Sequence, residues 1–465
     1  MRACDADFPN SARGLARFAP EIAIVALALA VRVVLFIGVG AWDPERLQER
    51  IFVGDARAYH RLAVNLVEHG VYSSGLEPRL EPNTFRVPGY PSFLAVVYAL
   101  WGPHPHLAIL LQLVLGALTC AVVCRVGSLL FDRRAGIVAG SILAIDYSAV
   151  VFSNRLYADT LLTLFVALSL YALARFVVSG GKPSLAAAGF LLALATLCRP
   201  VSLFIGLAMA PVVWLRSRRR PGLALARWAL LVAAFVLTLT PWALRNQRIT
   251  GRPYVTSMQA SIPGWYLPWL MKDTRNAPRG ASSRDAAVEA APSRDRELRS
   301  GRSRPLLASV RHDAVRYARG TVRYFAILGS GEIPLLLGIP YGRHDAIALR
   351  DAGFGEWVAA TLRNRSTPLQ RSIVVGIAAY LVALYLAAAR GLWRAARARR
   401  WVEIALLLAT IVYFVVATGP IAREVRYRLP ALPAIVLFAG LGLARRAEGA
   451  RADTEPPPEL RLSAR

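Results

Sequence analysis

An all-α polytopic membrane protein is the fold class this sequence predicts, on three observations. Of its 465 residues 55% are hydrophobic and the mean hydropathy is +0.42, above the usual balance for a soluble domain. The apolar residues fall into runs of roughly 16–24, the length of helix that crosses a hydrocarbon layer about 30 Å thick. Short arginine clusters punctuate these runs, and they recur on what would be one side of the membrane.

The clusters also decide between partners. A formal charge of +27 in a soluble chain would point to nucleic acid. Here Arg2, Arg13 and Arg17 precede the first run, and Arg133 and Arg134, Lys182, then Arg216, Arg218, Arg219 and Arg220 follow later ones. Arg390, Arg394, Arg397, Arg399 and Arg400 come next, then Arg445 and Arg446. This is the positive-inside pattern, which puts the N-terminal tail (1–19) in the cytoplasm and leaves no call for nucleic acid. Cys4, Cys120, Cys124 and Cys198 show neither metal-type spacing nor a pair in the outer loops.

The expected elements follow in order. A first span over 20–42 is too long for a signal-peptide core and reads as an uncleaved anchor. The first outer loop, 43–87, carries Phe52, Tyr59, Leu62, Ala63, Leu66 and Val67 at helical spacing with polar residues between. Such a pattern predicts an amphipathic helix lying at the interface. A half-helix follows Pro88, and a span over 106–130 returns to the cytoplasm. Runs at 137–153 and 157–178 make a hairpin with its outer turn at Ser153–Arg155; those at 184–198 and 201–215 are broken by Arg199-Pro200. The run 224–243 leads into a large outer segment, 245–371, and runs at 372–392, 401–419 and 429–444 complete a membrane domain spanning 20–444. The expected total is about ten to twelve membrane segments. Residues 272–305 and the tail 445–465 are too polar to order themselves, and 324–340 reads as re-entrant or interfacial.

With this topology a set of polar residues gathers at the outer ends of the spans: Asp55, Tyr59, Arg86, Arg155, Tyr157, Asp159, Arg199, Arg245, Asn246, Arg423, Glu424, Arg426, Tyr427 and Arg428. Ionisable groups at membrane depth are costly and tend to be paired or functional. Guanidinium forks suit a phosphate headgroup, and a carboxylate suits a base. Each residue also has a structural role open to it. Asp55 follows Gly54 and fits a helix N-cap; Asp159 fits a first-turn dipole partner; Arg199 and Arg245 fit snorkelling anchors. Gly89-Tyr90-Pro91 fits a turn, and Asp146 fits a structural pair with Arg32.

The segments GDARAYHRLAVNLVEHGVYSS and FRVPGYPSFLAVVYAL resemble the first outer loop of GT-C type membrane glycosyltransferases, bacterial relatives of protein O-mannosyltransferases and of the lipid A aminoarabinose transferase. The resemblance continues through SNRLYADTLLTLFVALSLYAL, GFLLALATLCRPVSLF, TPWALRNQRITGRP and RYRLPALPAIVLFAGLGL, in the same order. It implies a GT-C-like bundle, a polyprenyl-phosphate-linked sugar as donor, and an active site facing the periplasm of a bacterial inner membrane. It assigns the first-loop aspartate, Asp55, as catalytic base. Many relatives carry a second acidic residue beside that aspartate; Gly54-Asp55-Ala56-Arg57 does not, so no metal is expected.

The expected activity is therefore inverting transfer of the sugar to a glycan, lipid or protein acceptor in the envelope. Asp55 would take the acceptor proton, and Arg426, Arg428, Arg245, Arg199 or Arg155 would meet the charge on the departing phosphate. Tyr59, Arg86, Asp159 and Tyr427 would complete the substrate site, and Trp265, Tyr266 and Trp269 would hold the large loop at the interface. A lipid-linked-sugar flippase would instead place polar groups at mid-membrane between repeated halves, and no repeat is visible. An inactive scaffold for glycan assembly is the third reading.

Overall fold

The computed structural model describes residues 18–257, 336–337, 368–418 and 425–444. Among these the secondary structure is helical, with no strand. The Trp265–Trp269 aromatics, Arg423, Glu424, the segment 272–305 and the tail from 445 lie outside them, as does 324–340 apart from Leu336 and Leu337.

Helix α1, Ala19–Val39, is apolar throughout except for Glu21 and Arg32, and Gly40 ends it in a left-handed conformation. A short turn (Pro44–Arg46) and a π-turn (Leu47–Ile51) lead to α2, Ala56–Glu68. Its inward stripe is Ala56, Tyr59, Leu62 and Ala63, spaced as a helix needs to bury one face. Phe52, expected on that helix, precedes it instead. The stripe packs on α3, Gly89–Trp101, through Tyr59 against Tyr90 and His60 against Tyr98. Gly89-Tyr90-Pro91 is therefore the first turn of a helix rather than a separate turn. Tyr90 is fully buried, its hydroxyl 2.5 Å from Gln112 Oε1.

The membrane part continues with α4 (Pro105–Leu130), the bent pair α5 (Arg133–Ile145) and α6 (Tyr147–Ser153), and α7 (Asp159–Ser179). Then come α8 (Lys182–Cys198), the broken run α9 (Pro200–Ser217), α10 (Pro221–Thr250), α11 (Pro368–Arg397), α12 (Trp401–Thr418) and α13 (Leu432–Leu443). Eight helices among the described residues are long and apolar enough to cross a membrane, or nine if α5 and α6, bent by 54°, form one span. Helices α3 and α8 are shorter apolar elements. This is a multi-pass membrane protein, with fewer qualifying helices among the described residues than the ten to twelve segments expected.

Helix α13 sits at the centre, with all its residues from Leu432 to Gly442 buried. Lipid tails are as apolar as leucine, so helices in a bilayer gain most from close backbone approach through small residues. Gly440 and Gly442 provide it: a Cβ on either would collide with backbone of α5 or α11. Gly391 of α11 meets α13 in the same way. The buried helix fixes the 3₁₀ turn before it, Val425–Ala431, which enters the site described next.

The bend between α5 and α6 falls at Asp146. Its Oδ1 accepts from Ala149 N at 3.0 Å and from Ser148 Oγ, capping α6, and its Oδ2 accepts from the Tyr380 hydroxyl at 2.7 Å. The expected pairing with Arg32 does not form. Arg32 donates instead to the carbonyls of Ala28 and Ala144, at 3.0 Å each.

Candidate active site

Gly54 turns the backbone that delivers Asp55. Its φ of +57° is a left-handed conformation that glycine adopts without Cβ strain. A Cβ there would also lie 2.8 Å from the Tyr157 hydroxyl, which donates to the Val53 carbonyl at 3.0 Å. Asp55 occupies the N-cap position of α2, but its side chain makes no cap hydrogen bond. Oδ1 accepts from Arg86 Nη2 at 2.6 Å and Oδ2 from Arg426 Nη1 at 3.0 Å. Burial pushes the Asp55 carboxyl up, and the two guanidinium groups outweigh it, holding the group below the usual carboxylate value.

Arg86 is held in place by its own backbone. Every carbonyl from Asn83 to Val87 accepts a hydrogen bond from outside that segment. Arg245 Nη1 donates to Asn83 O at 2.7 Å, Ser257 N to Thr84 O at 2.9 Å, and Thr256 Oγ1 to Phe85 O at 2.7 Å. The Tyr72 hydroxyl reaches Arg86 O at 3.3 Å and Val87 O at 2.9 Å. Asn83 Oδ1 accepts from the amides of Phe85 and Arg86, closing a local turn. The Arg86 guanidinium then lies 5.3 Å from the centre of the Tyr59 ring as it reaches Asp55.

A second carboxylate stands across the cluster. Asp159, in the first turn of α7, is 1% exposed and forms an ion pair with Arg199, which follows the end of α8. Arg199 and Arg426 both approach the ring of Tyr427, at 5.4 and 5.5 Å from its centre. A ring face between two cations offsets part of their repulsion. Asp55, Tyr59, Arg86, Asp159, Arg199, Arg426 and Tyr427 thus form one linked group, with three guanidiniums against two carboxylates. Such a group can bind an anion while holding a carboxylate in a fixed orientation.

Residues 83–244, about a third of the chain, match the family of dolichyl-phosphate-mannose-protein mannosyltransferases. The matched stretch runs from the segment that carries Arg86 through most of α10. Among solved structures, the oligosaccharyltransferase AglB from Archaeoglobus fulgidus, in complex with an inhibitory peptide and a dolichol-phosphate, aligns at TM-score 0.47 and 13% identity over 89% of this chain. An Archaeoglobus fulgidus oligosaccharyltransferase in the apo form aligns at 0.48 and 15%. ArnT from Cupriavidus metallidurans, bound to undecaprenyl phosphate, aligns at 0.43 and 16%, over 91% of this chain and 77% of that one. The chain spans 50% of the length of AglB. No curated protein matches it. Likeness at these scores carries nothing about the chemistry of the site.

Two predicted residues, Arg245 and Arg428, lie apart from the group around Asp55. Arg245 sits behind Arg86, against Trp242 and Tyr72, and its guanidinium is spent on Asn83 O and Asn246 Oδ1. Arg428 is 1% exposed and points into the bundle, donating to the hydroxyls of Tyr147 at 2.8 Å and Tyr385 at 3.2 Å. Arg155 borders the group: it is buried beside Phe152 and Tyr157, the ring that Arg426 also approaches, and its carbonyl accepts from Gln112 Nε2. The residues that the sequence left unmarked are the supports. Tyr72, Asn83 and Thr256 act through backbone, which no side-chain pattern records. Arg32 carried a signal, as an arginine within an apolar run.

Proposed function

We propose that the chain is an inverting glycosyltransferase that moves a sugar from a polyprenyl-phosphate donor to an acceptor hydroxyl or amine in the bacterial envelope. The protein would lie in the inner membrane, with its N-terminus cytoplasmic and its site on the periplasmic face. The observation that carries the reading is the half-buried Asp55 carboxylate, set between Arg86 and Arg426 and free of any capping role. The family match supports a lipid-phosphate donor, since its members are named for dolichyl-phosphate-mannose.

The same geometry accounts for when the base acts. With both arginines on Asp55, the carboxylate is a weak proton acceptor. A donor phosphate competes for those guanidiniums. As they turn to it, burial dominates at Asp55 and its proton affinity rises. The acceptor oxygen or nitrogen then attacks the anomeric carbon, its proton passes to Asp55, and the bond from that carbon to the phosphate oxygen breaks. The lipid phosphate leaves with one more negative charge than it carried as a diester. Arg86, Arg426 and Arg199 meet that charge electrostatically, and no step in the scheme calls on a metal. A single displacement inverts the anomeric centre.

The test is transfer from a panel of radiolabelled polyprenyl-phosphate sugars to envelope extract, with protein in nanodiscs. Asp55→Asn keeps the shape and removes the base, so transfer should fall by about 10²–10⁴-fold while donor binding persists. Equal transfer by both proteins would remove Asp55 from the chemistry. Folded wild-type protein that transfers from no donor would overturn the enzyme reading.

A further inference from the structure

Beside Asp159 lies a small partly enclosed space of about 20 Å³. It is lined by Arg32, Gly116, Thr119, Asp159, Thr160 and Thr163, among others. Arg32 is 1% exposed, and its Nε is buried with no hydrogen-bond partner among the described residues. Gly116 leaves the room: a Cβ there would lie 3.0 Å from Arg32 Nε and 3.6 Å from Thr160. An apolar void of this size would stay empty, but this one holds a charged donor and an acidic side chain, and its volume admits one water molecule.

We propose that the space is a single-water site joining Arg32 to Asp159, and that Arg32 is thereby a positioning residue for Arg199. The inference rests on the lipid-phosphate reading above. Asp159 has one counter-ion on the outer side, Arg199. If Arg199 turned towards a donor phosphate with nothing behind Asp159, a buried carboxylate would be stranded without a counter-ion. Arg32, acting through water, leaves Asp159 neutralised and Arg199 available.

Charge matching points the same way. The donor, a phosphodiester, carries one negative charge, and the released lipid phosphate carries up to two. The outer group of three guanidiniums and two carboxylates has one surplus positive charge, enough for the diester. With Arg32 included the surplus is two, which matches the product. A site complementary to the charge that develops favours the transition state over the ground state.

The test uses protein in phosphatidylcholine nanodiscs and two probes, farnesyl phosphate and its methyl ester, which differ by that one charge. Wild type should bind the phosphate more tightly than the ester. Arg32→Met should weaken farnesyl phosphate by about tenfold and leave the ester unchanged, and Arg32→Lys should restore part of the loss. Gly116→Ala, which fills the water site and keeps the arginine, should shift the same preference in the same direction. It decides the matter if Arg32→Met does not fold. Equal loss of both probes would mean that Arg32 only holds the bundle together, and unchanged preference in the folded variants would remove it from the site; either result overturns the inference. Wild type that binds neither probe would overturn the lipid-phosphate reading itself.

Discussion

The two ends of the helix bundle both carry arginines, and the three gathered around Asp55 and Asp159 are held differently from the helix-capping ones at the other end. At the end remote from Asp55, guanidiniums sit on the last carbonyls of helices. Arg216 donates to Val177 O of α7, Arg227 to Gly180 O just beyond it, Arg400 to Leu130 O of α4, and Arg394 to Ala444 O after α13. Helix C-termini leave carbonyls unpaired and carry partial negative charge, so a cation there completes a fold element. At the other end Arg86, Arg199 and Arg426 are held by carboxylates and aromatic rings. Backbone carbonyls cannot move away from a cap without fraying the helix. A guanidinium held by a side-chain carboxylate or a ring face can turn to an incoming anion. The first end is built to stay as it is, and the second is built to be rearranged.

That contrast can be broken most forcefully at Arg426. Its guanidinium reaches Asp55 and lies 5.1 Å from the Tyr157 ring. In the proposed reaction Arg426→Ala removes one of the charges set to meet the leaving phosphate, and transfer should fall by about 10²–10³-fold in kcat, the scale for loss of one preorganised donor. Steady-state kinetics with saturating donor check it. A fall confined to the donor KM would make Arg426 a binding group with no larger role in the transition state.

A smaller effect lies in the pH profile. The folded-state pKa of Asp55 is depressed, so the carboxylate stays ionised as pH falls below the usual aspartate range. Arg86→Gln removes one depressing charge and leaves the burial that opposes it. The Asp55 pKa should rise, and the acidic limb of kcat/KM, which reports the free enzyme, should move to higher pH. Activity would then be lost earlier on acidification than in wild type. A limb that does not move belongs to a different group.

How far this site was legible depends on what kind of information each residue carried. The spans and their polar ends were readable because hydrophobic length and arginine position are local properties of the chain. Asp55 and Arg426 stand 371 residues apart; the expected topology put both at the outer face, and nothing local in the chain paired them. Arg426 and Arg428 look equivalent in an Arg-Tyr-Arg motif, yet one faces Asp55 and the other faces Tyr147 and Tyr385. The turn that carries them is 3₁₀, with three residues per turn. Positions two apart therefore diverge by about two-thirds of a turn, and no composition rule shows that in advance. Arg245 was expected on substrate because it ends a span; its carbonyl partner, Asn83 O, is a main-chain atom that any residue would present. Asp146 was matched to Arg32 by charge, although a carboxylate at a helix start satisfies itself more cheaply on backbone amides.

The mildest prediction concerns the static end and sets the baseline for the others. Arg400 donates to Leu130 O at 2.6 Å and lies 3.8 Å from Glu403, with its side chain 40% exposed. Water can replace much of what the guanidinium does there, so Arg400→Gln should cost no more than about 1 kcal/mol of stability. In a chain of this length that is a fall in Tm of about 1–2 °C. Transfer per folded molecule should be unchanged, because a helix cap at the remote end has no differential contact with donor and product. Thermal unfolding in nanodiscs and the same transfer assay measure both quantities on one sample. If Arg400→Gln lowered transfer as far as Arg426→Ala does, the distinction between the ends would be lost. The arginines would then act through the net field of the bundle, and swapping the ionic strength of the assay would change both variants alike.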